Sequence, residues 1–218
     1  MPWRWPETDL ARLASTLAGI GVQAAHVEAK DLEKLDLGGV NLCGALLKRA
    51  RMQGCRLRRA ALVGATLTRA DLRETDLVGA SLVGAQANFA DFRGADARWA
   101  DFESASLVEA DFEGARLEGA CLRDARLSRA DLQRADLRGA VLEGAGLDRC
   151  DLEGADLRGA DLTRADLDGA QLARARLDGA RLTAAGGAAP LRPTALMVAE
   201  WTELVFDGRP LWRSDVAV

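Results

Sequence analysis

Residues 155–170 read ADLRGADLTRADLDGA, three near-copies of one five-residue phrase. An α-helix returns side chains to one face about every 3.6 residues and a strand about every 2, so a spacing of five keeps to neither. It does keep to one face if five residues form one side of a polygonal coil and each side turns the same two residues inward. Stepping by five from Leu157 carries the frame back to Val27 and forward to Leu182, 32 units without an insertion.

Of the 32 central residues 25 are Leu, the others being Val27, Met52, Ala87, Phe92, Ala97, Phe102 and Phe112. Two places earlier Ala occurs 26 times, one place earlier Asp occurs 14 times, and two places later Gly occurs 15 times. A narrow interior has room for one bulky side chain and one methyl per side, and each buried Leu contributes about 1.5–3 kcal/mol. Gly suits a corner that needs positive φ, and Asp suits a bend because its carboxylate accepts from a nearby backbone N–H. All five prolines (Pro2, Pro6, Pro190, Pro193, Pro210) fall outside the frame, as expected if the repeat's amides are committed to a ladder.

On these residues the chain resembles the pentapeptide-repeat proteins, whose unit is Ala, then Asp or Asn, then Leu or Phe, then two variable residues. The resemblance covers roughly residues 25–184 and implies an all-β solenoid, a right-handed quadrilateral β-helix of about eight coils with four units in each. On that model the centres at 87, 92, 97 and 102 form one layer, with Phe92 facing Phe102 and Ala87 facing Ala97, a volume compensation suited to a tight core. Phe89 and Trp99 are expected to cover the thinner faces beside those alanines. The organisation expected is a cap with a short helix (1–24), the repeat (25–184), a linker (185–193) and a C-terminal cap or interaction segment (194–218). The N-terminal helix is read over 8–18, capped by Thr8. The C-terminal segment reads either as a helix from Thr194 to about Glu203, with Met197, Trp201 and Leu204 on one side, or as a hairpin around Asp207-Gly208. Met197, Trp201, Leu204 and Trp212 are candidate cap contacts or contacts of a homodimer.

Nothing in the sequence points to catalysis. It has no glycine-rich phosphate loop, no nucleophile paired with a histidine base and no metal-ligand spacing around the single histidine, His26. No catalytic, cofactor-binding or metal-binding residue is assigned, and no cofactor is expected. Four scattered cysteines do not make a disulfide framework; Cys55 and Cys150 take the Ala position, while Cys43 and Cys121 point outward. No stretch is apolar enough to span a membrane and MPWRWPETDL lacks a signal-peptide core, so the cytoplasm is expected.

The function expected is therefore a non-enzymatic scaffold that presents a fixed surface to an unidentified protein partner. The expected contact strip is Leu42, Cys43, Ala61, Val63, Ser81 and Val83, one face uncharged through three coils. The most acidic face carries Asp31, Asp71, Asp91, Asp111, Glu113, Asp131, Asp151 and Glu153, and invites a second reading as a DNA mimic that binds gyrase or topoisomerase IV, an activity the resemblance implies. The formal net charge of −4 falls short of the roughly 22 charges on a similar length of duplex. An accessory role in a secretion apparatus is a third reading. The basic run KRARMQGCRLRR (48–59) reads either as a solvated belt or as a site for an acidic partner, with Lys48 over Glu28, Arg51 between Asp31 and Asp71, Arg56 between Asp36 and Asp76, and Arg49, Arg58 and Arg59 lacking an obvious acid. Direct nucleic-acid binding is not expected.

Overall fold

The computed structural model describes residues 32–182, 199–206 and 209–212. Through 32–182 each residue just before a centre bridges in parallel to its counterpart twenty positions on, as in Asp36 to Arg56, Asp71 to Asp91 and Asp156 to Arg176. The five-residue side and the four-sided turn therefore coexist over about seven and a half turns. Every described central Leu, Phe or Met except Leu167 is buried, and the Ala column closes the same shaft.

Where Asp or Asn precedes the centre, the repeat satisfies all five of its amides. In the unit centred on Leu77, Asp76 N–H donates down to Cys55 O at 2.9 Å, while Leu77 and Gly79 donate up to Asp96 O and Arg98 O at 2.8 and 3.0 Å. Ala80 N–H closes a turn onto Leu77 O at 2.9 Å. The amide left over, Val78 N–H, donates to Asp76 Oδ1. All fourteen described Asp and Asn residues at this position accept the same bond from the residue two places on. Asp is thus selected by one orphan amide per side.

The turn needs positive φ at its third residue. From Lys34 to Gly179 every corner residue has it, fifteen of them Gly and fifteen bearing a side chain. A left-handed conformation costs a non-glycine residue about 1–2 kcal/mol, so half the corners carry that strain.

The central layer is packed as expected. Phe92 and Phe102 meet edge to face with centroids 6.0 Å apart, and Phe112, one coil above Phe92, stacks flat on it at 4.5 Å. Ala87 and Ala97 are fully buried beside them. Phe89 and Trp99 do not cover the thin faces; they stand at corners, 44% and 60% exposed, because a corner side chain leaves the shaft. The thiols of Cys55 and Cys150 are buried and donate to Leu32 O and Leu127 O, and burial pushes the Cys150 thiol up to about 12. Among the described residues no buried side-chain nitrogen or oxygen lacks a partner.

At the C-terminal end four strands form one sheet: β1 (Asp161–Leu162), β2 (Arg181–Leu182), β3 (Glu203–Phe206) and β4 (Arg209–Trp212). β1, β2 and β3 are parallel, and β4 turns back antiparallel on β3, with Phe206 opposite Arg209. The hairpin is thus the reading of this segment that the structure contains. The helix drawn through about Glu203 is corrected over 199–203, where Glu200 bridges Arg176 and Glu203 enters β3. The register here is 24, not twenty: Ala199, Glu200 and Trp201 stand over Ala175, Arg176 and Leu177. Residues 199–206, AEWTELVF, resume the pentapeptide phrase four residues out of frame. Trp201, 4% exposed, plugs the shaft where a central Leu would sit, and Asp178 Oδ1 accepts from Thr202 N–H and Oγ1–H. The N-terminal helix, Met197 and the linker lie outside the described residues, and of Leu204 and Trp212 only the backbone is described. Among the described residues no helix is long and apolar enough to cross a membrane.

Candidate interaction surface

Because the centre and the Ala position face inward, each side of the coil offers solvent only three residues, two on the flat and one at the corner. The strip predicted around Leu42 must be corrected on this ground: Leu42 is a centre, 1% exposed, and takes no part in the surface. Cys43, Ala61, Ser81 and Val83 are half-buried on that face, and Val63 is 41% exposed. No charged residue interrupts the three rungs. The fourth rung carries Asp101 and Glu103, which have no cation partner among the described residues.

At the corner leading into that rung stands Trp99, the most exposed large apolar side chain among the described residues and one the strip as first drawn omits. Its φ is +55°. The Arg98 guanidinium lies 5.5 Å from the ring centroid. Gly79 and Gly119, the corners directly below and above, leave the ring room on both sides. The signal was available in the sequence, since Trp99 occupies a position otherwise held mostly by Gly or Arg.

The acidic face is not uniformly acidic. Asp71, Asp91, Asp111, Asp131 and Asp151 form one ladder of neighbouring rungs. Arg73 chelates Asp71 (2.8 and 2.6 Å) and Arg93 chelates Asp91 (2.9 and 2.6 Å), each also reaching the next Asp above. The Arg73 hydrogen bonds hold Asp71 below the usual carboxylate range. Above Asp91 no arginine chelates an aspartate of the ladder from two places on. Asp111 is pushed above that range by burial and by Asp131 and Asp91 on either side. Gln133 bridges Asp131 and Asp151, Glu113 pairs with Arg134, and Glu153 lies 3.9 Å from Arg174. Asp31 lies outside the described residues. The same Asp-x-Arg chelate recurs at Asp96–Arg98, Asp136–Arg138 and Asp156–Arg158.

The basic belt disperses over the rungs. Arg56 pairs with Asp36 at 2.9 Å, Arg51 pairs with Glu33, and Arg58 finds Asp76 at 3.2 Å, while Asp31, one of the two aspartates expected beside Arg51, lies outside the described residues. Among the described residues Lys48, Arg49 and Arg59 make no ion pair; Glu28, expected beneath Lys48, lies outside them.

One cluster gathers possible ligand atoms: Asp101, Glu103 and Cys121 place two carboxylates and a thiol within 4.8 Å of one another. Burial, then the nearby carboxylates, push the Cys121 thiol upward, against the thiolate a metal would need. Among the described residues nothing resembles a nucleophile with its base.

The family model for pentapeptide repeats, in eight copies, matches residues 31–62, 60–96, 98–134, 120–159 and 145–183. No curated protein matches the chain. Among solved structures, Rfr23, a pentapeptide repeat protein from the cyanobacterium Cyanothece 51142, is 30% identical over 46% of this chain and 61% of its own, less than two thirds of its length, with a TM-score of 0.34. HetL from Nostoc sp. strain PCC 7120, a pentapeptide repeat protein involved in heterocyst differentiation regulation, is 30% identical over 81% of this chain and 97% of its own, TM-score 0.27. Full-length QnrB1, a plasmid-mediated fluoroquinolone resistance protein, is 17% identical over 84% of this chain and 94% of its own, TM-score 0.33.

Proposed function

The chain belongs to the pentapeptide-repeat family, whose fold is a right-handed β-helical solenoid, and on that premise we propose that it is a non-enzymatic rigid scaffold binding a protein partner. The observation that carries the reading is Trp99. A left-handed corner costs a side chain about 1–2 kcal/mol, and Gly serves that position at the corners directly below and above, Gly79 and Gly119. The ring is 60% exposed, so it returns little to the core. Strain and an exposed aromatic at one residue are features of a contact anchor. Trp99 extends the uncharged strip of Cys43, Ala61, Val63, Ser81 and Val83 by one corner. Asp101 and Glu103 rim it with unneutralised charge, which suits a partner with apolar side chains bordered by Lys or Arg.

A duplex-DNA mimic acting on a topoisomerase is the weaker reading. Arg73 and Arg93 neutralise the lower ladder, and the formal net charge is only −4.

The test is a photo-crosslinking amino acid placed at Val63 and, as a control, at Arg174 on the acidic face. The same single protein captured at 63 in the source cell, absent at 174 and lost on adding Val83→Glu, supports the scaffold. Equal capture from both positions, or none from 63, overturns it.

A further inference from the structure

Among the described residues most of the rod's cations are ion-paired, and the exceptions are not scattered. Of the 23 lysines and arginines within residues 32–182, sixteen pair with a carboxylate. Seven do not: Lys34, Lys48, Arg49, Arg59, Arg69, Arg126 and Arg149. Five of these seven, all but Lys34 and Arg59, belong to units centred on 47, 67, 127 and 147, which stack on one side of the coil. That side meets the strip at one corner, through Gly44, Gly64 and Gly84, and the acidic face at the next.

Between the cations the face carries a single charged residue, Glu109, and is rich in donors. Asn88 Oδ1 accepts from both Ser106 Oγ (2.8 Å) and Val108 N (3.0 Å), which leaves the Asn88 amide hydrogens pointing at no protein acceptor. Gln86 is exposed, and among the described residues its side-chain amide has no hydrogen-bond partner. Arg69 lies 5.2 Å from the centroid of Phe89, itself 44% exposed. The carboxylates of this face are Glu109, already 3.7 Å from Arg129, and Asp148, Asp166 and Asp168 toward the C-terminal end, where Asp148 accepts from Ser128.

We propose that the face bearing Lys48, Arg49, Arg69, Arg126 and Arg149 receives an extended acidic segment of a protein, lying along the rod. Unpaired guanidinium groups match carboxylates in charge and in bidentate geometry, and side-chain amides match a polypeptide backbone. The span from the rung of Leu47 to that of Leu147 is about 24 Å at about 4.8 Å per rung, the reach of roughly seven extended residues. The cations occupy the two ends of the span, and the rungs of Ala87 and Leu107 offer none that is unpaired. A phosphodiester chain, charged at every step, would pass Glu109 on rungs that offer its phosphates no unpaired cation; a segment with acidic ends and a neutral middle places no charge there.

The test uses a fluorescein-labelled peptide of about eight residues with Glu at both ends and Ser between, and a labelled oligothymidylate of similar length, titrated at low salt by anisotropy. The peptide is expected to bind more tightly than the oligonucleotide. The double change Arg69→Gln and Arg126→Gln should weaken the peptide about tenfold or more, while Arg59→Gln, an unpaired cation on another side, leaves it unchanged. All these side chains are outside the core, and an unchanged far-UV spectrum and Tm establish that the variants are folded. No peptide binding, equal loss with Arg59→Gln, or tighter binding of oligothymidylate overturns the proposal.

Discussion

The indole of Trp99 lies across Gly119 on the next rung, with Cδ1 2.7 Å from where a β-carbon on Gly119 would stand. Gly119 also has φ +64°. Gly119→Ala therefore meets both a backbone cost of about 1–2 kcal/mol and a collision with the ring. In a Trp99→Gly background only the backbone cost remains. A double-mutant cycle on thermal unfolding should give the smaller penalty in that background. Equal penalties would mean that the ring is not held against the glycine.

Asp101 isolates the role of the residue before each centre, since it has no cation partner among the described residues and its Oδ1 accepts Glu103 N–H at 3.0 Å. Asp101→Asn keeps that acceptor, as Asn41 does for Cys43, and should leave stability within a few tenths of a kcal/mol. Asp101→Ala removes it and should cost about 0.5–1.5 kcal/mol. Urea midpoints separate the two; a loss from Asn as large as that from Ala would reassign the preference to charge.

Asp111 and Asp136 should respond to pH in opposite senses. Burial, with Asp131 and Asp91 nearby, raises Asp111, so its ionised form opposes folding above its folded pKa and the penalty vanishes as pH falls through it. Hydrogen bonds from Arg138 lower Asp136, so its contribution is present above the unfolded value of about 3.9 and is lost as pH falls through the folded one. Asp111→Asn should therefore raise Tm at pH 7, by the equivalent of a few tenths of a kcal/mol, because the site is partly exposed. Asp136→Asn should lower it. Both differences should shrink toward pH 2–3 in thermal melts, and a shared sign at pH 7 would contradict the ladder described.

The shaft's volume balance makes Ala97 a sharper probe than any leucine. Most centres are Leu, yet Ala97→Leu should destabilise by about 1–3 kcal/mol, because Phe92 and Phe102 already fill that layer. Adding Phe102→Leu should recover part of the loss. If Ala97→Leu stabilises by itself, the layer contains a void that the packing does not suggest.

The solenoid was legible because every side of the coil repeats the same demand: one bulky core residue, one methyl and one acceptor for one amide. What escaped was local or out of frame. The Asp71–Arg73 chelate joins residues two apart on one strand, which point the same way, whereas attention to stacking looked only across rungs. Trp99 escaped because a strip drawn along one flat face stops at the corner. Leu42 was placed on the surface although its phase in the repeat already assigned it to the core. The last rung escaped because a step of five from Leu182 lands on Thr202, whereas the residue that fills the shaft is Trp201.

Trp201 supports the final prediction, which separates capping from association. A parallel coil ends on exposed core and unpaired amides unless something closes it. Here Ala199–Phe206 supplies the closing rung, with Leu177 N–H donating to Glu200 O and Val205 N–H to Ala180 O at 2.9 and 2.8 Å. Trp201→Ala empties the largest side chain of that rung and should cost about 3–5 kcal/mol. The loss should be local first: amides of Leu172–Leu182 should exchange faster with deuterium, while those around Phe92 stay protected. A tryptophan serving mainly to join two copies would behave otherwise, changing the mass measured by light scattering with little effect on exchange at Leu177. With the ring only 4% exposed within its own chain, faster exchange at an unchanged mass is the expected result.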